Sequence, residues 1–559
     1  MNTSIIASSV MGVPPAFLQG YAFIGPDLII GAQGQKEYGN VPTGGDGAYV
    51  SVTNETTGRA RIGTDAAGYA RLFIYEHGTH WAVGTSLIEL GEYAHAQGWQ
   101  LSVDTLELKI PLLARRVIKP SLLAPRMMSQ QMMSRSTGFK EISLLLPDEE
   151  VILKGARNPS VTITRRETVL PDGSYADLLE AALNEMTGRL RTLIHGNLPV
   201  VSDISGGRDS RTVLAGLMAA NDTGESIGSV VRFRSGESVE RDWKIVEPLA
   251  RKYQLDVNRS PVEKSIRVNP AYGYKVWRRH DLGVYFPLYP HSHARRSVAL
   301  SGAAGGVHRS VYPERSIRDN VLALKTDQIT SEEINQLADR VEDTLSSIDN
   351  GLDPNLEHFR LFRNRLHGGR NSLRSLSLAP LGSERLKLAS SMLSPKHLAR
   401  AQFYADVMLN LAPDLAAEPY DDAKKGWDTK HHEELTRVNV DPSQREGKVY
   451  GEFEYEQAHT DAPKRSPLEP YREVFEDASR VVIDNGLLPP DYVHAAGVEL
   501  HGSANSRLAH AINGAAVSAV IFAGQATELS QAESVSPKSF FERWFRKTEK
   551  QTVSQFVGS

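Results

Sequence analysis

Apolar and polar positions alternate, or gather in short apolar runs, through the first 115 or so residues. The stretches "YAFIGPDLIIGAQ" (21–33), "GAYVSVTNETTGRARIGTD" (47–65) and "ARLFIYEHGTHWAVGTS" (70–86) read as strands separated by Gly, Asn and Asp. "NETTG" (54–58) reads as a hairpin turn. "LSVDTLELKIPLLARR" (101–116) fits either period. The Met- and Ser-rich stretch 120–138 fits a mobile linker or, because Met pairs fill gaps, a piece of core. "EISLLLPDEEVILKG" (141–155) reads as two short strands about a turn.

Near residue 174 the period changes. "SYADLLEAALNEMTGRLRTLI" (174–194) has helical spacing and a capping serine. The strand "LPVVSDI" (198–204), a glycine turn and the helix "RTVLAGLMAAN" (211–221) follow. Then come a second strand "IGSVVRFR" (227–234) and helix "RDWKIVEPLARKYQL" (241–255). Strand and helix in alternation predict a parallel sheet covered on both faces, and "SVALSG" (297–302) adds a strand to it. From about 331 the pattern is mainly helical. The polar stretch 448–470 reads as a loop and the tail "KTEKQTVSQFVGS" as frayed. "INGAAVSAVIFAG" (512–524) is too short to span a membrane and reads as a buried helix. No internal repeat is visible.

A chain of 559 residues exceeds what one core supports, so two or three domains are expected. A hydrophobic fraction of 40% and a charged fraction of 23% are those of an ordinary globular protein. The net charge of -4 argues against a nucleic-acid-binding surface. The absence of cysteine removes disulfides, thiolate metal sites and thiol nucleophiles, and fits a reducing compartment. The first 20 residues lack a basic segment followed by a long apolar run, so no signal peptide is expected and a cytoplasmic location is.

The chemistry centres on "SDISGGRDSRTVLAGL" (202–217). A strand that ends in Ser205-Gly206-Gly207 and runs into a helix is suited to a phosphate. Glycine lets the backbone approach closely, and the unbonded N–H groups and dipole of the helix start favour an anion. Ser205 and Ser210 offer hydroxyls. Asp209 would be repelled by bare phosphate and is useful there through Mg²⁺. No lysine follows the glycines, so this is not a Walker loop. Composition alone leaves a purely structural glycine turn equally open.

Ser205-Gly206-Gly207-Arg208-Asp209-Ser210 resembles the S-G-G-x-D-S signature of the PP-loop, or N-type ATP pyrophosphatase, superfamily. Its surroundings are similar to the asparagine synthetase family. The lead-in is 156–190, the second strand and helix are 230–255, and "LRSLSLAPLGSERLKLASSML" (373–393) and "MLNLAPDLAAEPY" (408–420) look like the family's helical region. "GRARIGTDAAGYARLFIY" (58–75) resembles strands of its glutaminase domain. The resemblance covers most of residues 20 to 430. It implies a β-rich, degenerate glutaminase-like domain of N-terminal-nucleophile (Ntn) hydrolase type over 1–155. It implies an α/β PP-loop domain, adenine nucleotide alpha hydrolase-like, with a helical C-terminal part over 165–545, and 546–559 is left as a tail.

The activity implied is ATP- and Mg²⁺-dependent adenylation of a small-molecule or peptide carboxylate. An amine then displaces AMP and forms an amide. Ser205, Gly206, Gly207, Asp209 and Ser210 match the pyrophosphate cradle, with Asp209 on Mg²⁺. Arg208 stands at the variable position. Val201, Ser202 and Val231 stand where the family holds adenine, and Ser301 and Gly302 match the start of the loop after the third strand. The leaving-group cation is expected at Lys424 or Lys425, and Arg208 and Arg211 add positive charge beside the cradle.

Two departures qualify this. Family members that split glutamine use a cysteine exposed after Met removal. Here residue 2 is Asn and there is no cysteine, so the amine must be ammonia or part of the substrate, as in β-lactam synthetases and some lasso-peptide cyclases. The loop after the third strand carries acids in the family. Here Ala303, Ala304, Gly305, Gly306 and Val307 stand in their place, with His308, Tyr312 and Glu314 the nearest groups able to compensate. Two readings therefore stand: an amide ligase without glutaminase activity, and a catalytically decayed nucleotide-binding or scaffolding homologue. A tRNA-modifying PP-loop enzyme is disfavoured by charge and by the front half. No membrane partner is expected, and a homodimer stays open. Elsewhere, His280, His291 and His293 suit a pocket or surface better than zinc. His431 and His432 read as a solvated helix face.

Overall fold

A computed structural model describes residues 4–56, 58–113, 128, 131–155, 159–167, 173–259, 266–267, 269–283, 293–294, 297–309, 311–348, 351–371, 376–441, 446–452, 466–502 and 512–531. The protein is mixed α/β, with antiparallel and parallel sheets.

Hairpins build the first half. Strands β1 (Ile5–Ser8), β2 (Phe17–Ile24), β3 (Asp27–Ile30), β4 (Asp46–Thr56), β5 (Arg59–Thr64), β6 (Phe73–His77), β7 (His80–Gly84), β8 (Ile142–Leu144), β9 (Glu149–Lys154) and β10 (Ser160–Arg165) form two sheets. One has the order β1-β7-β6-β8. The other runs β10-β9-β5-β4-β2-β3 and ends on β18 (Val449–Tyr450). Thr56 pairs with Arg59 across the expected turn. Side chains alternate across the strands, so the inner faces bury Ile6, Ile74 and Val83 from one sheet against Val50, Val52, Ile62 and Val151 from the other.

The outer faces are covered by the second half. Phe73 and Tyr75 pack in one core with Val517 and Phe522 of helix Ile512–Gln531. Tyr21, Phe23 and Leu28 pack with Leu179, Leu183 and Met186 of helix Tyr175–His195. That helix begins in a capping box between Ser174 and Asp177.

Five parallel strands form the sheet of the second half: β11 (Val200–Asp203), β12 (Arg232–Arg234), β13 (Asp256–Val257), β16 (Val298–Leu300) and β17 (Leu376–Leu378). A small antiparallel pair, β14 (Ile266–Arg267) and β15 (His293–Ala294), stands apart. The order is β13-β12-β11-β16-β17. The chain therefore builds outward from β11 in one direction and then returns to build in the other. Helix Arg208–Ala220 packs between helices Tyr175–His195 and Gln402–Leu411.

Several expectations change. Only Arg232–Arg234 of 227–234 is strand; Ile227–Val230 is a helical turn. A Cβ on Gly228 would lie 1.9 Å from the Gln254 carbonyl oxygen, so this glycine is there for close approach rather than for a pleat. Residues 105–113 are helical, capped by Asp104. β8 and β9 join different sheets instead of pairing. The seven-stranded sheet runs to Arg165, past the boundary expected at 155. The stretch 448–470 contributes β18, which pairs parallel to β3. Met132 and Met133 are core residues, and helix 512–531 is buried as expected. The tail 546–559 lies outside the described residues. Among those described, no helix is long and apolar enough to cross a membrane.

The buried helix is locked by polar groups. Ser518 Oγ donates to Asp281 Oδ1 at 2.6 Å, and Gly283 N–H donates to the same atom at 2.9 Å. Burial pushes the Asp281 carboxyl up to about 7. A carboxyl that is protonated in the fold but ionised in the unfolded chain adds stability that is complete below pH about 4. That stability is lost as pH rises through about 7. Asp281→Asn cannot ionise, so its unfolding free energy relative to wild type should rise by on the order of a few kcal/mol between those pH values. Denaturant titrations across the range check this; a difference that stays flat refutes it.

Candidate functional site

The strand order reverses between β12 and β16, on either side of β11. A crevice opens at such a reversal, at the carboxyl ends of the strands. Ser205–Ser210 leaves β11 at that end, and Ser301–Gly302 leaves β16 there. Residues about 90 positions apart in sequence thus share one crevice.

The turn is held by its own hydroxyls. Ser210 Oγ accepts from Ser205 N–H at 3.0 Å and lies 2.9 Å from Ser205 Oγ, which in turn accepts from Gly207 N–H at 3.3 Å. Gly207 starts helix Arg208–Ala220 without a side-chain cap. The N–H groups of the first turn therefore have neither an intrahelical acceptor nor a capping side chain. Gly206 N–H donates to Asp242 Oδ1 at 3.2 Å, and the Gly206 carbonyl accepts from Asp421 N–H at 3.0 Å. A Cβ on Gly206 would lie 2.5 Å from that of Asp421.

The segment 418–427 is laid over this turn by two arginines. Arg211 donates to the carbonyls of Glu418 and Pro419 at 2.9 and 2.6 Å and stands 3.9 Å from the centre of the Tyr420 ring. Arg208 donates to the carbonyls of Lys425 and Lys424 at 2.8 and 3.3 Å and covers the Trp427 ring at 4.6 Å. Burial lowers the pKa of both guanidiniums. Their first task is thus to dock a segment rather than to meet a ligand. Lys425 Nζ is held 2.8 Å from each oxygen of Asp421, which places it beside the cradle. Lys424 is exposed and has no ion-pair partner among the described residues. Val201 and Ser202 are buried in β11, and Val231 is buried just before β12.

Asp209 sits in the first helical turn. Gly302 and Gly305 clasp it: a Cβ on Gly302 would lie 2.8 Å from Asp209 C and 2.6 Å from Ser210 N. One on Gly305 would lie 2.4 Å from Asp209 Cγ. Asp209 Oδ2 accepts from Arg309 Nη2 at 3.2 Å, and Oδ1 is buried with no hydrogen-bond partner. Tyr404, fully buried, donates its hydroxyl to the Gly305 carbonyl; burial, then the Asp209 charge, raises its pKa far above the ordinary value.

The groups proposed to compensate for the missing acids do not reach Asp209. His308 is buried, with Nδ1 2.9 Å from Ser390 Oγ and Nε2 2.7 Å from the Leu381 carbonyl. Burial pushes its pKa down to about 3. Tyr312 accepts from Gln131 at 2.8 Å, in another part of the core, and Glu314 is exposed. His280 Nδ1 lies 2.9 Å from Arg71 Nη2. His291 and the His293 side chain lie outside the described residues. His431 is not on a solvated face: it is buried and closes a capping box with Asp428.

Asp242, Asp421, Arg309 and Tyr404 were not visible as site residues in the sequence. Arg309 had one available signal, its place directly after the loop that lacks acids. No family model matches the chain, and no curated protein sequence matches it.

Proposed function

We propose that the protein is an ATP-dependent, AMP-forming amide-bond ligase of the asparagine synthetase family that works without glutamine hydrolysis. In this reading the antiparallel front half is an Ntn-like relic and the parallel-sheet half a PP-loop domain. The observation that carries it is the uncapped, serine-braced turn Ser205–Ser210 at the carboxyl end of β11, where the strand order reverses. An anion-binding turn at that place fits a nucleotide's phosphates.

The first-turn N–H groups and the Ser205 and Ser210 hydroxyls would hold the β- and γ-phosphates. Lys425, carried on Asp421, would stand near the leaving pyrophosphate. Asp209 Oδ1 has an unused lone pair and suits Mg²⁺, which tolerates one or two carboxylates with phosphate oxygens and water completing its shell. The ion would neutralise charge on the phosphates. The substrate carboxylate oxygen attacks the α-phosphorus and pyrophosphate leaves; the amine then attacks the acyl carbon and AMP leaves. Free asparagine and a more specialised amide both remain products of this chemistry. A cytoplasmic site of action goes with this reading.

A second reading, a non-catalytic nucleotide-binding scaffold, is favoured by one observation: the guanidinium of Arg309 occupies one oxygen of the only carboxylate in the cradle's first turn. The test is calorimetric titration with ATP, with and without Mg²⁺, followed by screening carboxylates and amines for AMP release. Wild type should bind, and Asp209→Ala should lose about tenfold of the magnesium-dependent affinity. No binding by wild type refutes the ligase and the nucleotide-binding scaffold together. Binding without AMP release from any pair selects the scaffold.

A further inference from the structure

We infer that Arg309 is a phosphate-binding residue of this site, a guanidinium that meets the polyphosphate of a nucleotide where acids would otherwise recruit metal. The inference rests on the nucleotide reading above and assigns a role to a residue that reading leaves unused.

Arg309 is presented from a fixed base. The residue before it, His308, is bonded through both ring nitrogens, and the carbonyl of Val307 accepts from Arg360 at 3.1 Å. Its side chain then leaves the core and is 36% exposed. A guanidinium has five N–H donors in a fixed fork. Among the described residues it makes one hydrogen bond, to Asp209 Oδ2, with its guanidinium carbon 5.9 Å from the centre of the Tyr404 ring, which leaves its other donors available to a ligand. Burial works against its charge, yet Asp209 beside it holds its pKa above the ordinary value, so it stays a cation.

A second cation faces it. Burial, and then the nearby Arg309 charge, lower the pKa of Arg208, while the Asp209 carboxylate favours the charge of both guanidiniums. These guanidiniums and Lys425 stand beside a helix start that also favours anions, with Asp209, Asp421 and Asp242 as the carboxylates around the turn. A di- or triphosphate entering here would find a bidentate-capable fork, the preferred partner of phosphate oxygens. The loop composition makes sense in this light. An acid at 305 would be forced against the Asp209 carboxylate, whereas glycine there lets Arg309 reach it from one residue turn further on.

The consequence is a site that binds phosphate without metal. Full-length protein would be titrated with inorganic pyrophosphate, in EDTA and then in Mg²⁺, beside Arg309→Ala and Arg309→Lys, with circular dichroism checking that each variant is folded. Wild type should bind pyrophosphate in EDTA. Arg309→Ala should lose about tenfold or more of that metal-free affinity, and Arg309→Lys should recover part of it. In Mg²⁺ the loss should shrink, because Asp209 Oδ2 is then released to the ion. Equal metal-free affinity of wild type and Arg309→Ala overturns the inference while leaving the nucleotide reading intact. Failure of wild type to bind pyrophosphate or ATP under either condition overturns both.

Discussion

Alanine at Gly305 is expected to weaken pyrophosphate binding by about a hundredfold and to cost about 1–3 kcal/mol of stability. The added methyl would sit 2.4 Å from Asp209 Cγ, 2.5 Å from the Tyr404 hydroxyl and 2.6 Å from Asp209 Oδ1. Tyr404 is fully buried and cannot swing aside, so the carboxylate must move. Asp209 is in the helix turn that carries Ser210, and Ser210 braces Ser205, so displacement at one end is felt across the cradle. Alanine at Gly302 should act similarly, because its contacts are helix backbone at 2.6 and 2.8 Å. Gly207 is the control. A methyl there meets nothing closer than the Ser205 hydroxyl at 3.5 Å, and its φ of -86° suits any residue, so Gly207→Ala should unfold with wild type. Calorimetry and thermal unfolding of the three variants decide the matter. Wild-type binding by Gly305→Ala would mean that the clasp on Asp209 does not shape the site.

That contrast shows where sequence reasoning reached and where it stopped. The turn Ser205–Ser210 was legible because a strand, two glycines, two serines and a helix are local features. The hairpins of the first half and the Ser174 helix start were legible for the same reason. The loop 303–307 was legible only as a lack of acids. Its glycines carry information through what lies across the crevice, on a helix about 90 residues earlier, and no local pattern holds that. The pairing of Val449–Tyr450 with Leu28–Ile29 is equally non-local. The run 227–234 failed for another reason: a short apolar stretch fits a strand and a helical turn alike, and the close approach of Gly228 to Gln254 decides between them. From the sequence alone, Arg208 and Arg211 are charge near the cradle. They act mainly as clamps on backbone carbonyls, because a buried guanidinium must satisfy its donors.

The same requirement predicts that Arg365→Ala will remove about 3–5 kcal/mol of stability, the largest loss expected from any single change considered. Arg365 follows a π-helical segment, Phe359–Asn364, and is fully buried. Its Nε donates to the Gly68 carbonyl at 2.7 Å and its Nη1 to the Leu145 carbonyl at 2.9 Å. Both carbonyls belong to the sheet-rich first half, so one side chain of the second half ties down two of its loops. Gly68, at φ +64°, passes so close that a Cβ would lie 2.5 Å from Arg365 Nε. Burial pulls the guanidinium down to about 10, still charged at neutral pH, with the Asp65 carboxylate nearby offsetting part of the cost. Truncation leaves two buried carbonyls without donors and a void the size of the side chain. Arg365→Lys should recover less than half of the loss, since a single ammonium cannot serve two separated carbonyls as a planar fork does. Urea unfolding of the two variants measures this as a fall in midpoint at unchanged slope. A loss below about 1 kcal/mol for Arg365→Ala would mean that water takes over both carbonyls and that the contact between the halves rests on apolar packing alone.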